Sequence, residues 1–281
     1  KAPVTEWPPA EATPFRTIGN EGRTILVFFQ KISGGMALGK KGRFHSAELP
    51  KPPLPAYRLR RMSPTPAASA DNTASAPRLE RVRARAKFFF EGDRKFFLKG
   101  VTYGPFRPNA DGDFLPTPER AREDFRLMRE LGVNLIRIYH VPPRWFLDIC
   151  REHGIRVMIS IPWAEHVEFL NNRKIRKQIV RTIREAVLKN KGHDAIFAYL
   201  VGNEIPSTMV RWLGARRVTD FVEHLINVAR DADPEPMYSY ASYPPTEYLL
   251  PQNVDFYTFN VYLERRIDFE RYLARLQNLA E

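Results

Sequence analysis

Several classes of protein are excluded by residues and patterns that this sequence lacks. Its 281 residues include a single cysteine, Cys150, which excludes an internal disulfide framework and a cysteine-ligated zinc site. No apolar run approaches the roughly 18 residues of a membrane-spanning helix, so no membrane span is predicted in this segment. The sequence contains neither a Gly-x-Gly-x-x-Gly turn after the first predicted strand nor a Walker-type loop. It therefore lacks the best sequence signatures of nucleotide binding. Glu165 and His166 have no third ligand at suitable spacing, and we expect no metal and no cofactor.

The formal net charge of +12 does not make the chain a predicted nucleic-acid binder. Residues 1–95 contain 18 Lys and Arg against 8 Asp and Glu, whereas residues 96–281 contain 26 against 24. The excess of positive charge therefore belongs to the N-terminal segment, where seven arginines lie between residues 58 and 85. Such a run could contact anionic lipid or nucleic acid, but a solvated linker is the favoured interpretation, and no nucleic-acid partner is expected.

The composition of the chain changes near residue 80. Residues 1–80 contain 11 of the 24 prolines and one convincing apolar run, Ile25–Phe29. Such a segment buries too little apolar surface to offset its ordering entropy, so a Pro-rich, basic linker or disordered segment is predicted over residues 1–80. The second predicted domain, residues 81–281, begins with a β-hairpin made of residues 82–90 and 96–98 around a turn at 91–94.

Strand and helix patterns then alternate six times along the chain. Connections of this length favour parallel pairing, which allows a doubly wound sheet or a (β/α)₈ barrel. Because the nucleotide-binding signatures are missing, we predict an α/β fold of the TIM-barrel type, incomplete and with about six β/α units. Strands are predicted at 100–104, 133–139, 155–161, 196–201, 237–241 and 254–261. Helices are predicted at 118–131, 143–153, 173–190, 246–249 and 268–279, with another between the fourth and fifth strands.

Polar and aromatic residues stand where these predicted strands end. The fourth strand, in the stretch AIFAYLVGNEIP (195–206), breaks at Gly202 and presents Asn203 and Glu204. The carboxyl ends of parallel barrel strands converge on one mouth, where enzymes of this fold place their chemistry. The residues expected at this mouth are Tyr103, Arg137, Tyr139, His140, Trp163, Asn203, Glu204, Ser242, Tyr243, Asn260 and Tyr262.

This set of side chains suits a carbohydrate better than a phosphate. Aromatic rings stack on the C–H faces of sugars, and amide and guanidinium groups bind hydroxyls. A lone glutamate in a partly apolar pocket can serve as a general acid near neutral pH. Glu204 is therefore the predicted catalytic residue, and the others, Ser242 excepted, are predicted to bind the sugar. His140 could instead anchor the loop that follows it.

Four motifs on strands one, two, four and six carry a resemblance to a known group of enzymes. They are GVTYG (100–104), GVNLIRIY (132–139), GNE (202–204) and FNVY (259–262). In this order they resemble the clan of retaining glycoside hydrolases with (β/α)₈ barrels, most closely the family 2 barrel, over roughly residues 82–281. The resemblance implies that Asn203 binds the sugar 2-hydroxyl, Glu204 is the acid/base, Arg137 supports the nucleophile and Tyr262 lies near it.

A retaining mechanism needs a second carboxylate about 5–5.5 Å from the first. The resemblance places this nucleophile at the end of a seventh strand. Glu264 follows the sixth strand, but a loop glutamate between charged neighbours more often faces solvent. We therefore expect an incomplete barrel whose nucleophile lies beyond residue 281, in an enzyme that cleaves β-linked glycans.

A second function is left open by the sequence. The domain could be a non-catalytic carbohydrate-binding or regulatory barrel fused to another module, such as a glycosyltransferase. The missing seventh strand and the long basic linker motivate this alternative, and both hypotheses leave open that the segment is part of a larger, multidomain chain.

Overall fold

The computed structural model describes residues 78–109 and 112–279, together with two short strands at 17–18 and 25–29. Most of the predicted linker, residues 1–80, therefore lies outside the described residues, and its disorder stays a prediction. Ile25–Phe29, the apolar run within it, forms a strand.

The described elements begin with five short strands. They are β1 (Thr17–Ile18), β2 (Ile25–Phe29), β3 (Val82–Arg85), β4 (Phe88–Glu91) and β5 (Arg94–Lys95). The longer series of strands is β6 (Gly100–Thr102), β7 (Leu135–Ile138), β8 (Arg156–Ser160), β9 (Ile196–Asn203), β10 (Met237–Ser242) and β11 (Tyr257–Val261). The helices of the described residues are α1 (Pro118–Glu130), α2 (Arg144–Glu152), α3 (Arg173–Lys189), α4 (Ser207–Leu213), α5 (Ala215–Ala232) and α6 (Arg266–Leu279).

Strands β6 to β11 form one parallel sheet in which neighbours in sequence are neighbours in space. A doubly wound sheet reverses its strand order at a switch point, whereas this order runs in one direction, as in a barrel wall. The predicted incomplete TIM barrel is confirmed. Beside β11 lies β2, also parallel, with Ile25 opposite Tyr257, and β1 pairs with β2 in the antiparallel sense.

Strands β3, β4 and β5 form a separate antiparallel sheet at the amino end of the barrel strands. The turn predicted at 91–94 does connect two antiparallel strands, β4 and β5. The predicted first arm, residues 82–90, is instead two strands, β3 and β4, which pair with each other across a turn at 86–87. The strand after the predicted turn is β5 rather than residues 96–98. Phe89 of β4 is buried, and its ring contacts Phe197 and Phe256 at centroid distances of 5.1 and 5.3 Å. The small sheet therefore covers the end of the barrel opposite the predicted mouth.

Side chains of the parallel strands alternate between two apolar layers. Ile136 and Ile138 of β7 pack outward with the helices, whereas Leu135 belongs to the inner cluster, which Met158 of β8 also joins. This alternation follows from the two-residue period of a strand. It also places Arg137, which shares its face with Leu135, on the inside of the curled sheet.

Two predicted elements differ from the structure near the end of the chain. The short helix predicted at 246–249 is a 3₁₀ turn at Pro244–Thr246, and the last strand starts at Tyr257 rather than at 254. Among the described residues, no helix combines the length and the apolar character needed to cross a membrane.

Replacing Phe125 by Ala should cost about 3–5 kcal/mol of unfolding free energy, because it empties a fully buried ring site. The Phe125 ring packs between Tyr103 and Phe146, at centroid distances of 5.2 and 5.5 Å. Leu131→Ala, just past the same helix and 75% exposed, is the control and should change stability by less than about 0.5 kcal/mol. Urea unfolding measures both, and equal losses would contradict this packing.

Candidate active site

The end of β9 holds Glu204 in an unusual backbone conformation. Glu204 has a φ of 54°, a left-handed value that side-chain-bearing residues rarely adopt. Its N–H donates to the Ala241 carbonyl of β10 at 2.8 Å, and the next N–H, of Ile205, donates to the Tyr240 hydroxyl at 3.0 Å. Neighbouring groups thus fix a conformation that costs roughly 1–3 kcal/mol, a kind of strain that clusters at functional sites.

Gly202, two residues earlier, packs closely against two aromatic rings and has no left-handed backbone angle. A Cβ atom at this position would lie 3.3 Å from the Trp163 ring and 3.4 Å from the Tyr240 ring. Trp163 is itself fixed, because its Nε1 donates to the Val201 carbonyl at 2.7 Å. The predicted sugar-binding indole therefore lies directly against the strand that carries Glu204.

The Glu204 carboxylate accepts hydrogen bonds from side chains at the end of β11, two strands away from β9 in the sheet. Its Oε1 accepts hydrogen bonds from Asn260 Nδ2, at 2.7 Å, and from the Tyr262 hydroxyl. Asn260 lies on β11 and Tyr262 follows that strand, while β10 separates them from β9. The inward curl of the sheet thus brings strand ends four and six together, as predicted from the sequence.

Arg137 lies beneath this pair and is fully buried. Its Nη2 donates to Asn203 Oδ1 at 2.8 Å, its Nη1 to Asn260 Oδ1 at 2.5 Å and its Nε to Ser160 Oγ at 3.1 Å. Its guanidinium also lies 4.7 Å from the centroid of the Tyr139 ring. Because both amide oxygens accept from the guanidinium, the two amide NH₂ groups must point elsewhere.

The orientation of these amides determines what the site can donate. Asn260 Nδ2 donates to Glu204 Oε1 and also to Asn203 Oδ1 at 2.9 Å. The NH₂ group of Asn203 makes no hydrogen bond within the part of the chain that the structure describes. It is therefore a donor available to a ligand at the mouth.

Burial shifts the pKa values of two groups in this cluster without changing their charge at neutral pH. Desolvation lowers the pKa of Arg137, while Tyr139, Glu204 and Tyr262 act in the opposite direction. Arginine starts so high that it keeps its charge. Desolvation raises the pKa of Tyr262, and its hydrogen bond to Glu204 raises it further, so the hydroxyl stays a donor.

Three other predicted residues lie at the mouth or next to it. His140 follows Tyr139, and burial lowers its pKa below the ordinary value, so the imidazole is neutral at pH 7. Its Nε2 is buried without a hydrogen-bond partner in the described structure, and its ring lies 6.2 Å from that of Phe114. The Tyr243 hydroxyl, at the end of β10, accepts from the Ser207 N–H at 3.3 Å. Ser242 donates to the Thr246 carbonyl at 2.9 Å and stays within its own turn.

Tyr103, also predicted to bind the sugar, is not brought to this cluster. It is 5% exposed, packs among aromatic rings between the sheet and α1, and donates to Asp124 Oδ2 at 2.9 Å. The period of two along β6 explains its direction, because Tyr103 follows the strand on the outward face. The structure thus gives Tyr103 a packing contact where the sequence predicts a ligand contact.

Glu165 is a residue of the site that the sequence analysis considered only as half of an unsupported metal pair. Its Oε1 accepts from the Asn203 N–H at 3.2 Å, and burial raises its pKa to about 7. The signal for it was its position two residues after Trp163 on the same rim. Among the described residues, no three His, Cys, Asp or Glu side chains are grouped so that they could hold a metal ion.

The fold and the site together define a glycosidase-like barrel of the clan that the sequence resembles. Residues 71–230 match the profile of glycoside hydrolase family 72, described as Glucanosyltransferase. This match covers more than half of the chain, so the chain belongs to that family.

Two curated relatives, a glucanosyltransferase and a beta-glucuronidase, are similar to part of this chain. The chain is 25% identical over 203 residues to the 1,3-beta-glucanosyltransferase gas4 of Schizosaccharomyces pombe, covering 64% of this chain and 43% of that protein. It is 28% identical over 153 residues to a beta-glucuronidase of Bacteroides fragilis, covering 50% of this chain and 21% of the relative. The chain thus spans less than half the length of these curated relatives.

Solved structures show the same fold. The Bacteroides uniformis beta-glucuronidase 2, covalently bound to cyclophellitol-6-carboxylate aziridine, aligns with a TM-score of 0.56 at 23% identity. The alignment covers 68% of this chain and 24% of that structure. A family 2 beta-galacturonidase from Eisenbergiella tayi, bound to galacturonate, aligns with a TM-score of 0.53, over 70% of this chain and 35% of that one. At this identity the likeness shows the fold alone, that of a (β/α)₈ barrel.

Glu165→Gln should remove a pH dependence of stability. The pKa of the Glu165 carboxyl is raised on folding from 4.5 to about 7. Its contribution to the free energy of unfolding is therefore fully present below pH 4.5 and is lost as the pH rises through 7, where the folded protein must ionise a buried group. Between pH 5 and pH 8 the variant should therefore gain about 2 kcal/mol relative to the wild type, since one pKa unit is roughly 1.4 kcal/mol. Denaturant unfolding at both pH values measures this. The control is Glu264→Gln, at an exposed residue, which should keep the pH dependence of the wild type. Identical pH dependence of Glu165→Gln and the wild type would contradict the prediction.

Proposed function

We propose that this chain carries the acid/base half of a retaining enzyme that acts on a β-linked glycan, with Glu204 as the general acid and base. One observation supports this most strongly. Glu204 stands at the carboxyl end of β9 in a left-handed conformation, and donors from the β11 end bind its Oε1 above a buried arginine.

The hydrogen bonds of Glu204 assign different tasks to its two oxygens. Asn260 and Tyr262 both donate to Oε1, and Oε2 has no hydrogen-bond partner among the described residues. We assign Oε2 as the oxygen that carries the catalytic proton. Asn203, whose NH₂ group is available, donates to the sugar 2-hydroxyl beside it.

The proposed reaction has two steps. In the first, a carboxylate nucleophile attacks the anomeric carbon while Glu204 gives its proton to the departing glycosidic oxygen, which leaves a glycosyl-enzyme ester. In the second, Glu204 takes a proton from an incoming hydroxyl, which attacks the anomeric carbon and releases the nucleophile. If the hydroxyl belongs to water the product is hydrolysed; if it belongs to a sugar the glycan is transferred.

Transfer is the outcome that the family favours. The matching profile is described as Glucanosyltransferase, and the relatives include 1,3-beta-glucanosyltransferases. We therefore propose a β-glucan-type donor and a sugar acceptor, with hydrolysis as the competing reaction.

The nucleophile is not supplied by the strand beside β11. That strand, β2, and the two residues after it read ILVFFQK and contain no Asp or Glu. Glu264 is exposed, which agrees with the solvent-facing position expected from the sequence. We propose that the second carboxylate comes from outside the described residues, and we still expect it beyond residue 281.

Glu204→Gln in the full-length protein should lower kcat/KM for aryl β-glycosides with poor leaving groups by about 10²–10⁴-fold, because the leaving oxygen then receives no proton. Glu264→Gln is the matched control and should retain the wild-type rate. Initial rates of aryl release measure both variants.

Unchanged turnover in Glu204→Gln would refute its assignment as the acid/base. A wild-type protein that binds β-glycans yet releases no product in the same assay would support the alternative, a non-catalytic carbohydrate-binding barrel.

A further inference from the structure

Seven basic side chains and one tryptophan lie on the outside of the barrel, where α3 and α5 begin and α4 ends. The basic residues are Arg173, Lys174, Arg176, Lys177, Arg211, Arg216 and Arg217, and the tryptophan is Trp212. We call these eight residues the basic patch. All eight are exposed, Trp212 to 67%.

The hydrogen bonds of Arg217 connect the three segments of the basic patch. Its Nη2 donates to Oδ1 of Asn171, in the loop before α3, at 2.6 Å. Its Nη1 donates to the carbonyl of Leu213, the last residue of α4, at 3.3 Å. Arg176 and Lys177 of α3 also line one groove together with Arg217 of α5. The start of α3, the end of α4 and the start of α5 are therefore adjacent on the surface.

The positive charge of these helices has little compensation within the fold. Residues 173–184 include six Lys and Arg and no Asp or Glu, and residues 207–219 include three Arg and no acid. Of these nine basic residues, Arg181 forms an ion pair, with Glu185, and the other eight form none in the described part of the chain. Basic residues in the first turns of a helix also oppose its dipole. The cluster therefore gives the folded domain no electrostatic stabilisation of its own.

Two acids near the basic patch do not neutralise it. The Glu168 carboxylate accepts hydrogen bonds from the backbone N–H groups of residues 170–172, just before α3. Asp220 is exposed and lines the groove between α3 and α5, where it supplies one negative charge against the seven positive charges of the patch. The surface therefore presents a strong excess of positive charge to solvent.

Other surface helices of the described structure treat their arginines differently. Arginines on and beside α1 and α6 pair with acids three or four residues away on the same segment. These pairs are Arg120–Asp124, Arg126–Glu123, Arg126–Glu130, Arg265–Asp268 and Arg266–Glu270. Local rules that are broken in one place and obeyed elsewhere are expected at functional sites.

Trp212 differs from the other tryptophans that the structure describes. Trp145 and Trp163 are partly buried against the main apolar cluster, whereas Trp212 exposes most of its ring next to Arg211. An exposed indole gives up the favourable burial of a large apolar surface. Tryptophan is enriched at the interface between a membrane and water, where its apolar body and its polar N–H both find partners. An exposed indole among cations therefore has the chemistry of a membrane-facing surface.

We propose that the basic patch docks this domain on the surface of an anionic lipid bilayer. The seven cations face the lipid phosphates, and the Trp212 ring lies at the level of the headgroups. Each Lys or Arg near an anionic membrane surface strengthens binding roughly fivefold, so seven of them together can hold a domain in place. This inference is independent of the proposed function, and the failure of either leaves the other intact.

Two other partners match these side chains less well. A neutral β-glucan, the substrate proposed above, offers no charge for seven cations to bind. Single-stranded nucleic acid stacks successive bases on several exposed rings. The basic patch exposes one ring, and Phe221 in the adjoining groove is only 6% exposed. An anionic bilayer uses both the charges and the single protruding indole.

The two ends of the barrel provide a probe position and its control. In a β/α barrel each helix starts near the carboxyl end of the preceding strand, so the starts of α3 and α5 lie at the carboxyl end. Phe97, three residues before β6, lies at the amino end and is 70% exposed. Trp212 and Phe97 are thus similarly exposed aromatic residues, one inside the basic patch and one far from it.

A fluorophore that responds to its surroundings, NBD, attached at residue 212 of the full-length protein, tests the proposal. Trp212→Cys carries the label in one protein and Phe97→Cys in the control. Cys150 is buried, and any other reactive cysteine is replaced by serine. Vesicles of phosphatidylcholine and phosphatidylglycerol in equal parts, at low salt, should brighten and blue-shift the emission at residue 212 and leave residue 97 unchanged. Phosphatidylcholine vesicles should change neither, and 1 M salt, which screens charges beyond about 3 Å, should reverse the response.

Charge reversal within the patch tests the role of the cations. In the labelled Trp212→Cys protein, Arg176→Glu with Lys177→Glu should lower the affinity for the mixed vesicles at least about tenfold. The matched control is Lys99→Glu with Lys191→Glu, which makes the same charge change at two exposed residues outside the patch and should cost less than about twofold, because charges beyond a Debye length are screened. If the reversal unfolds the protein, Arg176→Gln with Lys177→Gln should still weaken binding.

Four results would overturn the docking surface. They are no response at residue 212 to the mixed vesicles, equal responses at residues 212 and 97, equal losses from the two charge-reversal pairs, and a response at residue 212 to single-stranded DNA without one to vesicles. The last result would assign the patch to nucleic acid instead.

Discussion

The burial of one guanidinium group organises the candidate site. A cation without water must be compensated by well-placed acceptors, since an unpaired buried charge is strongly unfavourable. Arg137 obtains three of them from other strands: Ser160 of β8, Asn203 of β9 and Asn260 of β11. Because the guanidinium occupies both amide oxygens, Asn260 must offer its NH₂ group to Glu204. The hydrogen bonds that compensate the buried charge of Arg137 therefore also fix the position of the Glu204 carboxylate, through Asn260.

The rest of the barrel makes this arrangement possible by separating two apolar layers. Outward residues such as Ile136 pack against the helices, whereas inward residues such as Leu135 and Met158 fill the amino end of the sheet. The small antiparallel sheet closes that end with Phe89. Polar side chains can then lie at the carboxyl end of the strands, beyond the apolar layers, where they can contact water or substrate.

Much of this could be predicted from the sequence because strand order and strand ends are local signals. Gly202, Asn203 and Glu204 follow an unbroken apolar run, and parallel pairing made their convergence with Tyr262 predictable. Tyr103 shows the limit of such predictions. Side chains alternate between the two faces of a strand, so an error of one residue places a side chain on the wrong face. Glu165 shows another, because its burial against Asn203 depends on tertiary packing.

Glu204, placed above Arg137, is the residue that we propose to protonate the leaving oxygen. The most direct test is a series of aryl β-glycosides whose phenols span a wide range of acidity, with kcat/KM measured for the wild type and for Glu204→Gln in the full-length protein. We expect kcat/KM to depend weakly on leaving-group pKa in the wild type and steeply in the variant, so that the rates converge for the most acidic phenols. Parallel dependences in the two proteins would contradict it.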